Sequence, residues 1–258
     1  SVSYDDEGPL DAPTILFIHG FPLNKSMWEH QVESLKESCR VIAYDIRGHG
    51  NSDASEENFS IDLFVNDLLH FMDALHITKP ILCGLSMGGY IALNAAIKFP
   101  NHFAALVLSD TQCLADSSEA KRKRMNAIEN IHEYGVEIYA EVSIKNLFSS
   151  ESFTKNKKEI LQVRDMIVGT AAQSLSYTLF ALSERKGTCS KLQDIEVPVL
   201  IMVGKEDKIT PPVAAQLMHE KIQGSLLKII DHAGHLANLE NPVEFNYQLK
   251  TFIQQLDD

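Results

Sequence analysis

Residues 80–100 read PILCGLSMGGYIALNAAIKFP, and this stretch decides the fold. Pro80, Ile81, Leu82 and Cys83 form a short apolar run of the kind that makes a buried strand. The run meets Gly84-Leu85-Ser86-Met87-Gly88-Gly89, after which helical periodicity takes over until Pro100 ends it. A strand turning this sharply into a helix forces its apex, Ser86, into a strained backbone conformation. Glycines two before and two after that apex leave room for the bend. The hydroxyl is pushed clear of the sheet. The amides that follow it sit at a helix N-terminus, where negative charge is favoured. The pattern is a G-x-S-x-G nucleophile elbow in the strand–turn–helix context that the chemistry requires. A serine that merely caps a helix is the bland alternative.

Working outward, apolar runs at residues 14–18, 40–44, 103–108, 197–203 and 226–230 read as further strands, with 2–4 as the remnant of an edge strand. Helical segments are expected around 28–37, 60–76, 212–221 and 242–255. Residues 112–194 show helical periodicity throughout, with breaks near Gly135, 149–152, Gly169 and Gly187. The fold class is therefore α/β: a mostly parallel, doubly wound sheet, with residues 1–111 and 195–258 as the core and 112–194 as an inserted helical cap. Large apolar residues of the insert, among them Ile138, Val142, Leu147, Phe148, Leu175, Leu179, Phe180 and Leu182, are expected to pack it onto the core or face the site.

A serine hydroxyl needs a base, and the base needs an acid to hold its tautomer. In an open parallel sheet these groups gather beyond the C-terminal ends of strands. Asp207 follows the run ending at Val203, with Glu206 as neighbour and rival. His235 follows the run ending at Ile230, behind a glycine, with His232 as rival. Asp110, after the strand that follows the elbow helix, is the alternative acid, with a capping role at the start of the insert as its structural reading. Trp28 is a candidate pocket residue or a core tryptophan, and Phe148 and Leu179 are candidate substrate contacts. His19 reads as loop-shaping, Asp45 as holding a turn, and Arg47 as pairing with a carboxylate.

The chain resembles the α/β-hydrolase superfamily in His19-Gly20-Phe21, residues 45–52 (DIRGHGNS), Gly84-Leu85-Ser86-Met87-Gly88-Gly89, Gly204-Lys205-Glu206-Asp207 and Gly234-His235. Within it the chain is most similar to small cofactor-free esterases and 3-oxoadipate enol-lactonase-like enzymes. The resemblance implies an oxyanion hole built from the backbone N–H groups of Phe21 and Met87, and a helical cap placed after the sixth strand of the core. It also implies hydrolysis of small carboxylic esters through an acyl-enzyme on Ser86, with lactone or C–C bond hydrolysis as alternatives and no metal, nucleotide or redox cofactor. A non-catalytic ligand receptor of the same fold is the reading from a different class. Haloalkane dehalogenases and epoxide hydrolases are disfavoured, since those relatives carry aspartate at the elbow apex.

The 258 residues carry a net charge of -12, which disfavours nucleic acid and anionic membranes as partners. The basic run at 121–124 lies among acidic residues and reads as a solvated helix face. No apolar run approaches membrane-spanning length, and no basic-then-apolar leader opens the chain, so a cytoplasmic monomer or homodimer acting on a small molecule is expected. The four cysteines, Cys39, Cys83, Cys113 and Cys189, lack metal-site spacing and are expected to be reduced thiols.

Overall fold

The computed structural model describes residues 1–54 and 58–256. Residues 55–57 and 257–258 of the expected core segments lie outside the described residues. Among the described residues, seven strands form one sheet: β1 (Tyr4–Glu7), β2 (Thr14–Ile18), β3 (Arg40–Tyr44), β4 (Ile81–Leu85), β5 (Ala105–Ser109), β6 (Val199–Gly204) and β7 (Leu226–Ile230), in the spatial order β1-β3-β2-β4-β5-β6-β7. Only β1 runs antiparallel, pairing Tyr4 with Tyr44 and Glu7 with Val41, while every other pair is parallel. The edge strand thus starts at Tyr4, two residues later than residues 2–4 suggest.

Alternation along the strands sends side chains to two separate cores. Leu16, Ile18, Leu82, Leu106 and Leu108 meet α2 (Ile61–Ala74) and α3 (Met87–Lys98) on one face. Ile15, Phe17, Cys83, Val107 and Met202 meet α1 (Glu29–Leu35) and α11 (Pro242–Gln254) on the other. A strand buried on both faces must be apolar throughout, which is why these runs lack a polar alternation. Ser60 caps α2 by accepting the Leu63 N–H at 3.0 Å, and Asn241 caps α11, with Pro242 at its first position.

Between β5 and β6 lie α4 (Ser118–Tyr134), α5 (Val136–Leu147), the single turn α6 (Ser152–Lys155), α7 (Lys157–Val168) and α8 (Ala172–Glu184), then a 3-10 segment, Cys189–Asp194. Gly135, with φ 87°, makes the break between α4 and α5. In this chain these helices lie between β5 and β6. Leu147, Phe148, Leu175, Leu179 and Leu182 are buried as expected, but Ile138, Val142 and Phe180 are exposed: they lie on outer helix faces.

The expectation of four reduced thiols is corrected. Cys113, just past β5, is disulfide-bonded to Cys189, 76 residues later, where the chain returns to the core, while Cys39 and Cys83 are buried and take no part in this bridge. Sequence spacing is silent about this pair because the two ends of an insertion meet only in the fold. Around the bridge the Thr188 N–H donates to Cys113 O at 2.8 Å, and buried Arg185 pairs with Asp116 at 2.8 Å and stacks over the Tyr90 ring. Cross-linking a loop of this length constrains the unfolded chain. Cys113→Ser with Cys189→Ser is therefore expected to lower the unfolding free energy by about 2–4 kcal/mol. Calorimetry with and without reductant checks it; a wild-type midpoint indifferent to reduction rejects the bridge as a stabilising element.

Among the described residues no helix is long and apolar enough to cross a membrane, and no group of three or more His, Cys, Asp or Glu side chains is arranged to hold a metal ion.

Candidate active site

Ser86 sits between the last residue of β4 and the first of α3 with φ 53° and ψ -111°, a conformation a side-chain-bearing residue rarely adopts. The neighbouring glycines make this bend possible by close approach. A Cβ on Gly84 would lie 2.3 Å from the backbone of Gly88, and one on Gly88 would lie 2.2 Å from Ile18 O. The N–H of Ser86 donates to Ser109 O, and Thr111 Oγ1 donates to Ser86 O at 2.8 Å, which fixes the elbow to β5.

His235 approaches from the loop after β7. Its Nε2 lies 2.9 Å from Ser86 Oγ, and its Nδ1 lies 2.8 Å from Asp207 Oδ2. Asp207 comes from the loop after β6. Its other oxygen accepts the N–H groups of Ile209 and Thr210 at 2.8 and 3.0 Å, and Thr210 Oγ1 donates to Oδ2 at 2.7 Å. All three residues are buried, His235 and Asp207 to 2 and 3 % exposure. Burial pulls the imidazole of His235 down, but the Asp207 charge and hydrogen bond, together with the charges of Asp110 and Glu240, more than offset this, and the pKa is raised above 6.5. Burial pushes Asp207 up, yet His235 and the donors around it hold the carboxyl below its usual 3.8.

The rivals fall elsewhere. His232 is largely exposed and faces Glu151 at 2.9 Å, and Glu206 is exposed. Asp110 does not reach His235 by a hydrogen bond. Its Oδ1 accepts the Gly204 N–H at 2.8 Å and its Oδ2 accepts the Ser109 hydroxyl at 2.6 Å, so it ties β5 to β6 rather than capping the start of the insert. Burial and the nearby Asp207 charge raise its pKa well above 3.8.

Opposite the elbow, the turn after β2 brings Gly20 against Ser86: a Cβ there would lie 3.4 Å from Ser86 Cβ and 3.1 Å from a Leu85 methyl. The next residue along the chain is Phe21. Met87 opens α3, so its N–H has no intrahelical acceptor. His19 holds this turn as a neutral ring. Its Nδ1–H donates to Gly20 O and its Nε2 accepts the Ile46 N–H, both at 2.9 Å, and burial lowers its pKa to about 4. Asp45 accepts the Lys25 and Asn51 N–H groups, and Arg47 pairs with Asp67. These three match their sequence readings.

Leu179 joins Ile131 and Leu175 in an apolar cluster of the insert against which Phe21 packs, 6.5 Å from the Tyr139 ring. Phe148 is buried where the insert meets the His235 loop, its carbonyl carbon 3.0 Å from a Cβ on Gly234. Trp28 is corrected as a pocket residue. It is fully buried in the α1/α11 core, stacked on Phe17 at 4.6 Å, because the 3-10 turn Lys25–Trp28 points it under the sheet. Sequence reading also missed Glu240, whose carboxylate accepts the Gly234 and Leu236 N–H groups on either side of His235.

A hydroxyl, an imidazole and a carboxylate in this order can pass a proton off a nucleophile. Known proteins share the frame. A family model described as the alpha/beta hydrolase fold matches residues 13–159 and 168–242. The chain is 30% identical over 256 residues to 3-oxoadipate enol-lactonase 1 of Acinetobacter baylyi, covering 99% of this chain and 94% of that protein. Its structure resembles a thermophilic esterase from Thermogutta terrifontis, solved with malate bound, at TM-score 0.94 and 31% identity, covering 99% of this chain and 93% of that one. It resembles the enol-lactonase of Burkholderia xenovorans at TM-score 0.92 and 25% identity, covering 98% of this chain and 96% of that one. With a family match spanning both halves of the sheet and the elbow at its centre, the chain belongs to the α/β-hydrolase family.

Proposed function

We propose that the protein is a carboxylic ester hydrolase working through an acyl-enzyme on Ser86. The observation that carries this reading is the unbroken line Ser86 Oγ–His235 Nε2, 2.9 Å, and His235 Nδ1–Asp207 Oδ2, 2.8 Å. His235 takes the Ser86 proton as the oxygen attacks the ester carbonyl. The Phe21 and Met87 amides hold the resulting oxyanion. The alcohol leaves with the proton from His235, and water, deprotonated by the same ring, then releases the acid and restores Ser86. Asp207 keeps the proton on Nδ1 so that Nε2 faces the serine.

Lactones are the second reading, since a lactone is an intramolecular ester and the enol-lactonase relative matches over nearly the whole chain. A screen of p-nitrophenyl esters from acetate to dodecanoate, together with lactones and enol-lactones, tests both, with fluorophosphonate labelling to count the nucleophile. Turnover of none of them, with a stable ligand bound instead, would favour the receptor reading.

In this proposal residues 112–194 are the cap, and the Ile131–Leu175–Leu179 cluster is a wall of the acyl site. Water excluded by that wall strengthens the oxyanion bonds. Short-chain esters are expected to be preferred, and Leu179→Ala to shift kcat/KM toward longer acyl chains, whereas Ile138→Ala, on the outer surface, leaves the profile unmoved. A profile in which dodecanoate is best, or which Leu179→Ala does not alter, rejects the wall. The disulfide fits an oxidising compartment better than the cytoplasm expected from the sequence.

A further inference from the structure

His235 lies on a short loop, and a base that must meet Ser86 at hydrogen-bond distance has to be held to a fraction of an ångström. Asp207 orients its ring but does not hold its backbone. The backbone is held by Glu240, the last residue of the one-turn helix α10 (Ala237–Glu240), and by the insert. Glu240 Oε1 accepts the Gly234 N–H at 2.8 Å and the Leu236 N–H at 3.2 Å, while the His235 N–H between them donates to Leu147 O at 3.0 Å. Glu240 Oε2 turns to the corner between α5 and α6, where it accepts the Ser149 N–H at 2.8 Å and the Ser152 hydroxyl at 2.7 Å. Asn156 Nδ2 donates to the Glu240 carbonyl.

We propose that Glu240 is a positioning residue that latches the His235 loop to the α5–α6 corner of the insert, so that proton transfer at Ser86 depends on how the insert is seated. The proposal rests on the reading of Ser86 and His235 as nucleophile and base. Two observations carry it together. The first is donor chemistry. Three of the four donors are backbone N–H groups, which cannot reverse, and they are divided between the two oxygens. Only a carboxylate accepts on both; a glutamine turns its NH2 group against one set. A carboxylate 7 % exposed is tolerable only when saturated in this way. The second is steric. At Gly234 an added Cβ would lie 2.6 Å from Ser149 N, 3.0 Å from Phe148 C and 3.2 Å from Glu240 Oε1, so the latch closes only around a glycine. The Glu240 charge also adds to those of Asp207 and Asp110 in raising the pKa of His235.

The test compares Glu240→Gln, Ser152→Ala and Ser86→Ala on p-nitrophenyl acetate, with thermal midpoints to establish folding. Glu240→Gln is expected to lower kcat on the order of 10- to 100-fold with KM within about threefold, because a misplaced base costs the transition state and not binding. It is also expected to move the acid limb of the pH profile to lower pH, since a neutral side chain no longer supports the imidazolium. Ser152→Ala removes one donor but no charge, and is expected to lower kcat several-fold with the limb unmoved. A folded Glu240→Gln protein with wild-type kcat and an unmoved limb overturns the latch, even if its thermal midpoint falls. If Glu240→Gln does not fold, Ser152→Ala decides, and a wild-type kcat there overturns it. Activity persisting in Ser86→Ala overturns the underlying active-site reading instead.

Discussion

Ser86→Ala is expected to lower kcat for p-nitrophenyl acetate by about a millionfold, to the residual catalysis that binding and the proposed oxyanion amides supply. The change removes the proposed nucleophile and leaves the elbow standing. The bend is set by Gly84 against Gly88 and by Gly88 against Ile18, none of which involves the hydroxyl. The Ser86 backbone bonds to Ser109 and Thr111 survive as well. The variant is therefore expected to keep its thermal midpoint within a few degrees while losing both turnover and fluorophosphonate labelling. Labelling that persists in Ser86→Ala rejects the assignment.

Asp207→Asn is expected to lower kcat on the order of 10,000-fold, and Asp110→Asn by at least about 100-fold less. An asparagine at 207 presents either an acceptor or a donor to Nδ1, and the neutral ring loses the fixed tautomer that turns Nε2 to the serine. Asp110→Asn keeps an acceptor for the Gly204 N–H, and asparagine tolerates the positive φ of 45° at that position. The pH profile separates the two effects. As the proposed base, His235 acts only when neutral, so activity is expected to rise with pH through its pKa, and the raised value puts the wild-type midpoint above 6.5. Removing the Asp207 charge takes away the largest opposing influence to burial, so the midpoint must fall in Asp207→Asn. A larger loss in Asp110→Asn than in Asp207→Asn would reassign the acid.

The elbow was legible because its determinants are local. A strand, a glycine on each side of the apex and a helix are all contained in one short stretch, and the φ of Ser86 follows from them. The parallel sheet was legible because strands buried on both faces must be apolar throughout, whereas the antiparallel edge β1, with all four residues exposed, left only a faint signal at residues 2–4. His235 and Asp207 stood out by their places after successive strands. Sequence could rank Asp207 above Asp110 but not separate them, since both follow parallel strands. Trp28 could be read either way, and which face of the sheet it meets depends on the turn at Lys25–Trp28.

By itself the sequence determined the doubly wound architecture, the run of helices between β5 and β6 and the strained serine, because periodicity and glycine sterics act over a few residues. Only the tertiary structure decided which acid meets His235, that Cys113 pairs with Cys189, and that Glu240 joins the His235 loop to the insert. Those contacts span 28, 76 and 88 residues. A hydrogen bond or disulfide across such separations exists only once strand order and the seating of the insert have set the distance, and no local pattern of residues encodes that distance.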